Sequence, residues 1–218
     1  MTHRIREVRR TTVMLVAVGA ALLVFASAGS AGSPKIHNGN FETGDPSGWT
    51  MDCSSCAGGW FVSDKKQTPI NHLSWYGPME KEYEAVSDNG AADTMVLYQR
   101  VSLGSKKSKV NFDLEWNNRA DLWCNPGDLD YLDDCGLGLG DNQQIRVFLQ
   151  ESGDDPFTDP AAVVLFQTKN STPLKQKKKK FSIPVTVPNG DYQLVFAAVG
   201  GEFFLNVGVD EVSINNGG

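Results

Sequence analysis

Apolar residues recur at every second position through most of this chain, a period that belongs to strands lying on a core by one face. In SKVNFDLEW, Val110, Phe112, Leu114 and Trp116 fall on one side while Asn111, Asp113 and Glu115 fall on the other. QIRVFLQ repeats the pattern with Ile145, Val147 and Leu149, and KFSIPVTV with Phe181, Ile183, Val185 and Val187. GDYQLVFAAV adds Tyr192, Leu194, Phe196 and Ala198. TMVLYQRVSL, AVVLFQT, FFLNVGV and EVSIN are further short strands, punctuated by Gly, Pro, Asn and Asp. No segment sustains a helical period for three turns, although MEKEYEAV has room for a turn or two. The pattern predicts an all-β antiparallel sandwich or barrel, with Phe112, Trp116, Phe148, Phe166, Phe181, Phe196 and Phe203 in its core.

The N-terminus has a different character. Arg4, Arg6, Arg9 and Arg10 precede an apolar run from Thr12 to Phe25, and Ala26-Ser27-Ala28 has the small-residue form of a leader-peptidase site, with Ala31 a second option. Residues 1–28 therefore read as a secretory signal peptide. The apolar run is too short to cross a ~30 Å hydrocarbon core, and no later run is long enough either. Cleavage after Ala28 leaves 190 residues, a length that suits one sandwich domain, 29–218. The leader is net +3, so the formal charge falls from −6 to −9 on cleavage. An acidic exported chain argues against nucleic-acid binding, which needs a basic footprint. The expected localisation is secreted and extracellular.

Four cysteines in an exported chain favour disulfides, and of three possible pairings the sequence-local ones, Cys53–Cys56 and Cys124–Cys135, are preferred. The second would close CNPGDLDYLDDC and stabilise by roughly 3 kcal/mol on the chain-entropy model. Inside it Asp128, Asp130, Asp133 and Asp134 repel one another unless solvent, a cation or a basic group offsets them. Three readings of the loop stay open. It is a solvated stapled loop, a calcium loop on Asp128, Asp130 and Asp133, or a ligand contact with Trp123 and Tyr131 as stacking platforms. The run KQKKKK, Lys175 to Lys180, reads as a solvated turn before a strand, with an acidic-polymer patch as the functional alternative.

Two terminal segments carry a resemblance. IHNGNFETGDPSGW (Ile36 to Trp49) opens the mature chain and FFLNVGVDEVSIN (Phe203 to Asn215) closes it. Together they resemble galactose-binding-like jelly rolls, in particular carbohydrate-binding modules of families four, nine and twenty-two. The resemblance implies a jelly-roll β-sandwich in which the first and last segments are neighbours. It also implies a structural calcium ion there, carried residue by residue onto Glu42 and Asp210. Carboxylates and carbonyls suit a cation that takes six to eight oxygens.

The expected function is a non-catalytic module that binds carbohydrate or a cell-envelope polymer. Sugar faces stack on aromatic rings and amides take the hydroxyls, which nominates Trp75, Tyr76, Trp123 and Tyr131, with Asn117, Asn118 and Arg119 as polar partners. Trp49 and Trp60 are further aromatic candidates outside the regular strand patterns. The alternative is a structural or adhesive surface protein without a sugar site. An enzyme is disfavoured: the mature chain holds only His37 and His72 and no G-x-S-x-G elbow. Asp113 and Glu115 share a strand face, but alternation alone puts them there.

Overall fold

The computed structural model describes residues 35–119, 137, 143–157, 163–201 and 204–216. The predicted signal peptide, Phe203 and the whole Cys124–Cys135 loop, with Trp123, Asp128, Asp130, Tyr131 and Asp133, lie outside them. Ten strands run through the described residues: β1 (Thr50–Cys53), β2 (Gly58–Ser63), β3 (Glu84–Asn89), β4 (Asp93–Leu103), β5 (Ser108–Asn118), β6 (Gln144–Glu151), β7 (Val163–Gln167), β8 (Lys175–Val185), β9 (Gly190–Gly200) and β10 (Leu205–Asn216). They form two five-stranded antiparallel sheets, ordered β1-β4-β9-β6-β7 and β2-β3-β10-β5-β8. This is the expected all-β jelly-roll sandwich. MEKEYEAV makes no helix; its last three residues open β3.

The alternating side chains meet between the sheets as predicted. Phe112 packs edge-on against Phe196 with ring centroids 5.5 Å apart, and Met95, Leu97, Leu114, Trp116 and Leu149 are fully buried around them. Phe166 and Phe181 are half-buried at the margin of this core. Phe148 behaves differently. It lies on the opposite face of β6 and joins Val96, Val195 and Ala197 in a second apolar cluster, packed by Tyr98 and Phe157. The unbroken Val147-Phe148-Leu149 triplet records that both faces of this strand are covered.

The first and last segments of the domain are neighbours, as the resemblance implies. Val212 donates its N–H to Gly39 O at 2.7 Å, and a β-carbon on Gly39 would lie only 2.0 Å from Val212 O, so this crossing requires glycine. The same N-terminal loop inserts Phe41 and Trp49 into the core, with the Trp49 ring 6.0 Å from Phe196. Trp60, in β2, is a core residue as well. The Cys53–Cys56 disulfide closes the turn between β1 and β2, where the chain passes from one sheet to the other. Asp93 holds that turn from below, accepting from Ser54 Oγ, Ser55 N and Gly58 N.

One local expectation is corrected. Lys175 to Lys180 is not a turn before a strand but the first half of β8, paired with β5 at an edge of the second sheet. The lysines lack an apolar period, so nothing local marks them as a strand. Pairing with β5 decides, and charged residues are tolerated because an edge strand keeps one side open.

Candidate binding face of the second sheet

The period that sends Phe112, Leu114 and Trp116 into the core sends Asp113, Glu115 and Asn117 out through the other face of β5. Antiparallel register then sets rows across the sheet: Asp210 lies opposite Asp113, Gly208 opposite Glu115 and Val86, and Asn206 opposite Asn117. Continuing the β3–β10 register by one residue brings Glu84 beside Asp210. In a two-layer sandwich this outer face would meet water. Here it is covered: Glu84 and Asp210 are 0% exposed, Glu115 2% and Asn117 6%.

A strap running from residue 64 to 83 crosses this face. Its turn is closed by the bonds Thr68 N to Leu73 O, His72 N to Thr68 O and Trp75 N to Lys66 O. Asp88 of β3 anchors the turn by accepting from Ile70 N, Asn71 N and Asn71 Nδ2. The Arg119 guanidinium donates to Ser74 O, and its Nε donates to Asn206 Oδ1 at 3.1 Å. The Trp75 indole N–H donates to Glu84 Oε1 at 2.5 Å. Trp75 fits because position 208 is glycine. A β-carbon there would stand 3.0 Å from the indole Cζ2, 2.8 Å from Glu115 Cγ and 3.0 Å from Glu84 Oε2. Glu84 and Glu115 thus flank one point over β10, with the indole as lid.

Electrostatics follow from this burial. Glu84 is held well above the ordinary carboxylate range by burial and then by the Glu115 charge, against the opposing Trp75 hydrogen bond. Burial pushes Glu115 up to about 8, although the Lys178 N–H and the Lys177 charge oppose it. Asp210 rises to about 7, by burial first and then by the charges of Glu211, Asp113 and Glu42. Asp113 is also raised by burial, which outweighs the ammonium of Lys180. Four oxygens, Glu84 Oε2, Glu115 Oε1, Asp210 Oδ2 and Asn117 Oδ1, are buried with no hydrogen-bond partner. Such acceptors cost free energy until a donor reaches them.

Lys180 lies opposite Asp113 in the regular β5–β8 register and Lys178 shares its side by alternation; the bulge between Leu114 and Trp116 falls beyond Lys179, toward Gln176. Lys178 and Lys180 turn toward the acids, Lys178 pairing with Glu80 and both lying near Asp113, at 3.4 and 3.6 Å. Lys177 and Lys179 stay exposed, with Nζ 5.6 Å from the Tyr76 ring centroid and 5.3 Å from that of Phe181.

The structure brings together part of the predicted binding set. Trp75 and Tyr76 stand side by side on the strap, ring centroids 5.2 Å apart, and Asn117 and Arg119 lie on the same face. Trp75 is 6% exposed, so its indole is a lid and a donor in this arrangement. Asn118 points the other way by alternation with Asn117, and its N–H donates to Leu174 O. Glu42 accepts from Glu82 N and Tyr83 N, and its charge reaches Asp210. Glu84 was not among the predicted residues. Its signal is the alternation Glu84, Val86, Asp88, hidden by charged residues on either side.

Solved structures place this architecture. The K3 cleaved adhesin domain of Lys-gingipain from Porphyromonas gingivalis W83 matches with a TM-score of 0.52 at 17% identity, over 85% of this chain and 100% of that one. The K1 adhesin domain of the same protein matches with a TM-score of 0.50 at 13% identity, over 82% of this chain and 96% of that one. This chain has their fold. Carbohydrate-binding modules are also among the structural neighbours of this jelly roll. One is TmCBM61 in complex with β-1,4-galactotriose, at a TM-score of 0.48 and 15% identity over 83% of this chain and 96% of that one. No family model matches the sequence, and no curated protein matches it either.

Proposed function

We propose that this jelly roll is an exported, non-catalytic module that binds carbohydrate on the outer face of its second sheet. The observation that carries the reading is the half-exposed Tyr76 ring on the strap, together with Asn117 on the same face, whose Oδ1 is an acceptor without a partner. Sugar hydroxyls are donors in dense array, and acceptors beside an aromatic ring are the complement a saccharide requires. Glycosidase chemistry fits less well, because it needs one carboxylate ionised while its partner keeps a proton. Burial shifts Glu84 and Glu115 in the same direction, upward, and does not divide them into an acid and a base. The test is a glycan and polysaccharide array with the purified protein, followed by Tyr76→Ala and Asn117→Ala. Weakened binding at unchanged melting temperature is expected, and unchanged affinity in both variants removes this face from consideration.

Calcium at Glu42 and Asp210 belongs to the same proposal. Asp210 Oδ2 is a buried oxygen without a partner, the kind of ligand a hard cation takes. Among the described residues no group of three or more Asp, Glu, His or Cys side chains has the arrangement of a metal site. The two carboxylates therefore need backbone carbonyls to complete a shell. If bound there, the ion would neutralise Asp210 and tie the N-terminal loop to β10.

A surface-adhesive role is the second reading, and β7 favours it. This strand ends the first sheet, carries no charged residue, and exposes Val163 and Val164. Edges of that kind invite contact with another chain. Retained envelope-protein binding with no polysaccharide bound at all would support this reading over the first. No helix among the described residues is long and apolar enough to cross a membrane.

A further inference from the structure

We propose that β8 is a contact strip for an anionic polysaccharide, one carrying carboxylate or sulfate groups along its chain. The inference rests on the carbohydrate-binding reading above and names the class of polymer. Residues 169–180 hold six lysines and no acid, whereas the rest of the chain beyond residue 28 holds ten Lys or Arg against 25 Asp or Glu. The positive charge is thus concentrated on one edge of a negative body.

Edge protection alone does not account for the arrangement. One or two lysines suffice to turn away a pairing strand, and five among six consecutive positions repel one another. Strand alternation resolves part of that repulsion by sending Lys178 and Lys180 to Glu80 and Asp113. Lys177 and Lys179 receive no carboxylate among the described residues. Their ammonium groups lie over the faces of Tyr76 and Phe181 instead, which holds both heads at the surface and lowers the ordering cost of binding an anion. Lys175 is exposed on the same edge.

The geometry selects the partner. The lysines occupy the first six residues of β8, a strip about 20 Å long at roughly 3.3 Å per residue and one strand wide. A single extended polyanion matches that strip. An anionic lipid surface demands a broad basic face, and the acidic body beside β8 would be pressed against it. Single-stranded nucleic acid needs a row of open aromatic faces for successive bases, and the strip offers two half-buried rings, Tyr76 and Phe181.

The experiment is affinity electrophoresis and titration calorimetry of the purified protein with polygalacturonate, chondroitin sulfate and neutral β-1,4-galactan. The variant Lys175→Gln/Lys177→Gln/Lys179→Gln spares the two lysines paired with Glu80 and Asp113. The expected result is polyanion binding that weakens roughly tenfold between about 50 and about 300 mM salt. The triple variant should lose it by a similar factor while still melting in one cooperative transition. Wild-type affinity in the triple variant overturns the strip. So does tighter binding to phosphatidylserine vesicles or to single-stranded DNA than to polygalacturonate. Galactan bound with no polyanion bound removes the strip and leaves the sheet-face reading standing, whereas failure of all three polymers removes both.

Discussion

Replacing Glu115 by glutamine tests whether the outer face of the second sheet is a store of protons. In the folded chain the Glu115 carboxyl is 2% exposed and titrates at about 8, against an ordinary 4.5. Between those values the native state keeps a proton that the unfolded chain has released. The contribution is therefore fully present below about pH 4.5 and is lost as pH rises through the folded value, at about 1.4 kcal/mol per pH step. Over the whole interval that amounts to about 5 kcal/mol, a large part of the stability of an ordinary domain. Glutamine keeps an acceptor for the Lys178 N–H and cannot ionise. Urea denaturation at pH 5, 6.5 and 8 in chelator should show near-equal stability at pH 5. The glutamine variant should then gain steadily on the wild type toward pH 8. Parallel curves for the two proteins would show that Glu115 titrates normally, and the account of this face as a closed, low-dielectric layer would fail.

Three further outcomes follow from the same geometry. Trp75→Phe keeps a ring over Gly208 but withdraws the donor from Glu84; a loss of about 1–3 kcal/mol is expected in urea, and no loss would mean that the indole bond carries nothing. Gly208→Ala sets a methyl group 2.8 Å from Glu115 Cγ and 3.0 Å from the indole. The overpacking should cost about 1–3 kcal/mol, and a neutral result would show that the lid is loosely seated. Millimolar calcium should raise the melting temperature and chelator should reverse the rise; identical melting in both buffers removes the ion from Glu42 and Asp210.

The architecture was legible because apolar alternation is local: each strand from β4 to β6, β9 and β10 announces its buried face within its own residues. Asn117 and Asn118 were grouped as polar partners by residue type, although parity divides them: Trp116 faces the core and Asn118 goes with it. The lysine strand and the acid row were not legible, for a different reason. Lys175 to Lys180 form a strand only because β5 lies alongside, and the bulge in their register is a property of the pair. Glu84 reads as a surface residue until the strap, anchored by Asp88 and Arg119, closes over it. Contacts of that kind join residues far apart in the chain and leave no periodic trace.

The acid row and the lysine strip are parts of one electrostatic unit. The Lys177 charge opposes the rise of Glu115, and the Lys178 N–H bonds the same carboxyl. Ionising Glu115 would place a negative charge beneath the exposed lysines and weaken their hold on a polyanion. By reciprocity, a polyanion on the strip would screen those lysines and draw a proton onto Glu115, since linkage requires equal coupling in both directions. Polygalacturonate affinity should thus fall as pH rises through about 8, the value at which Glu115 gives up its proton. In the glutamine variant the same titration should be shallower, with Asp210, Glu84 and Asp113 left to respond. Equal falls in both proteins would place the pH response elsewhere and divide the strip from the buried row beside it.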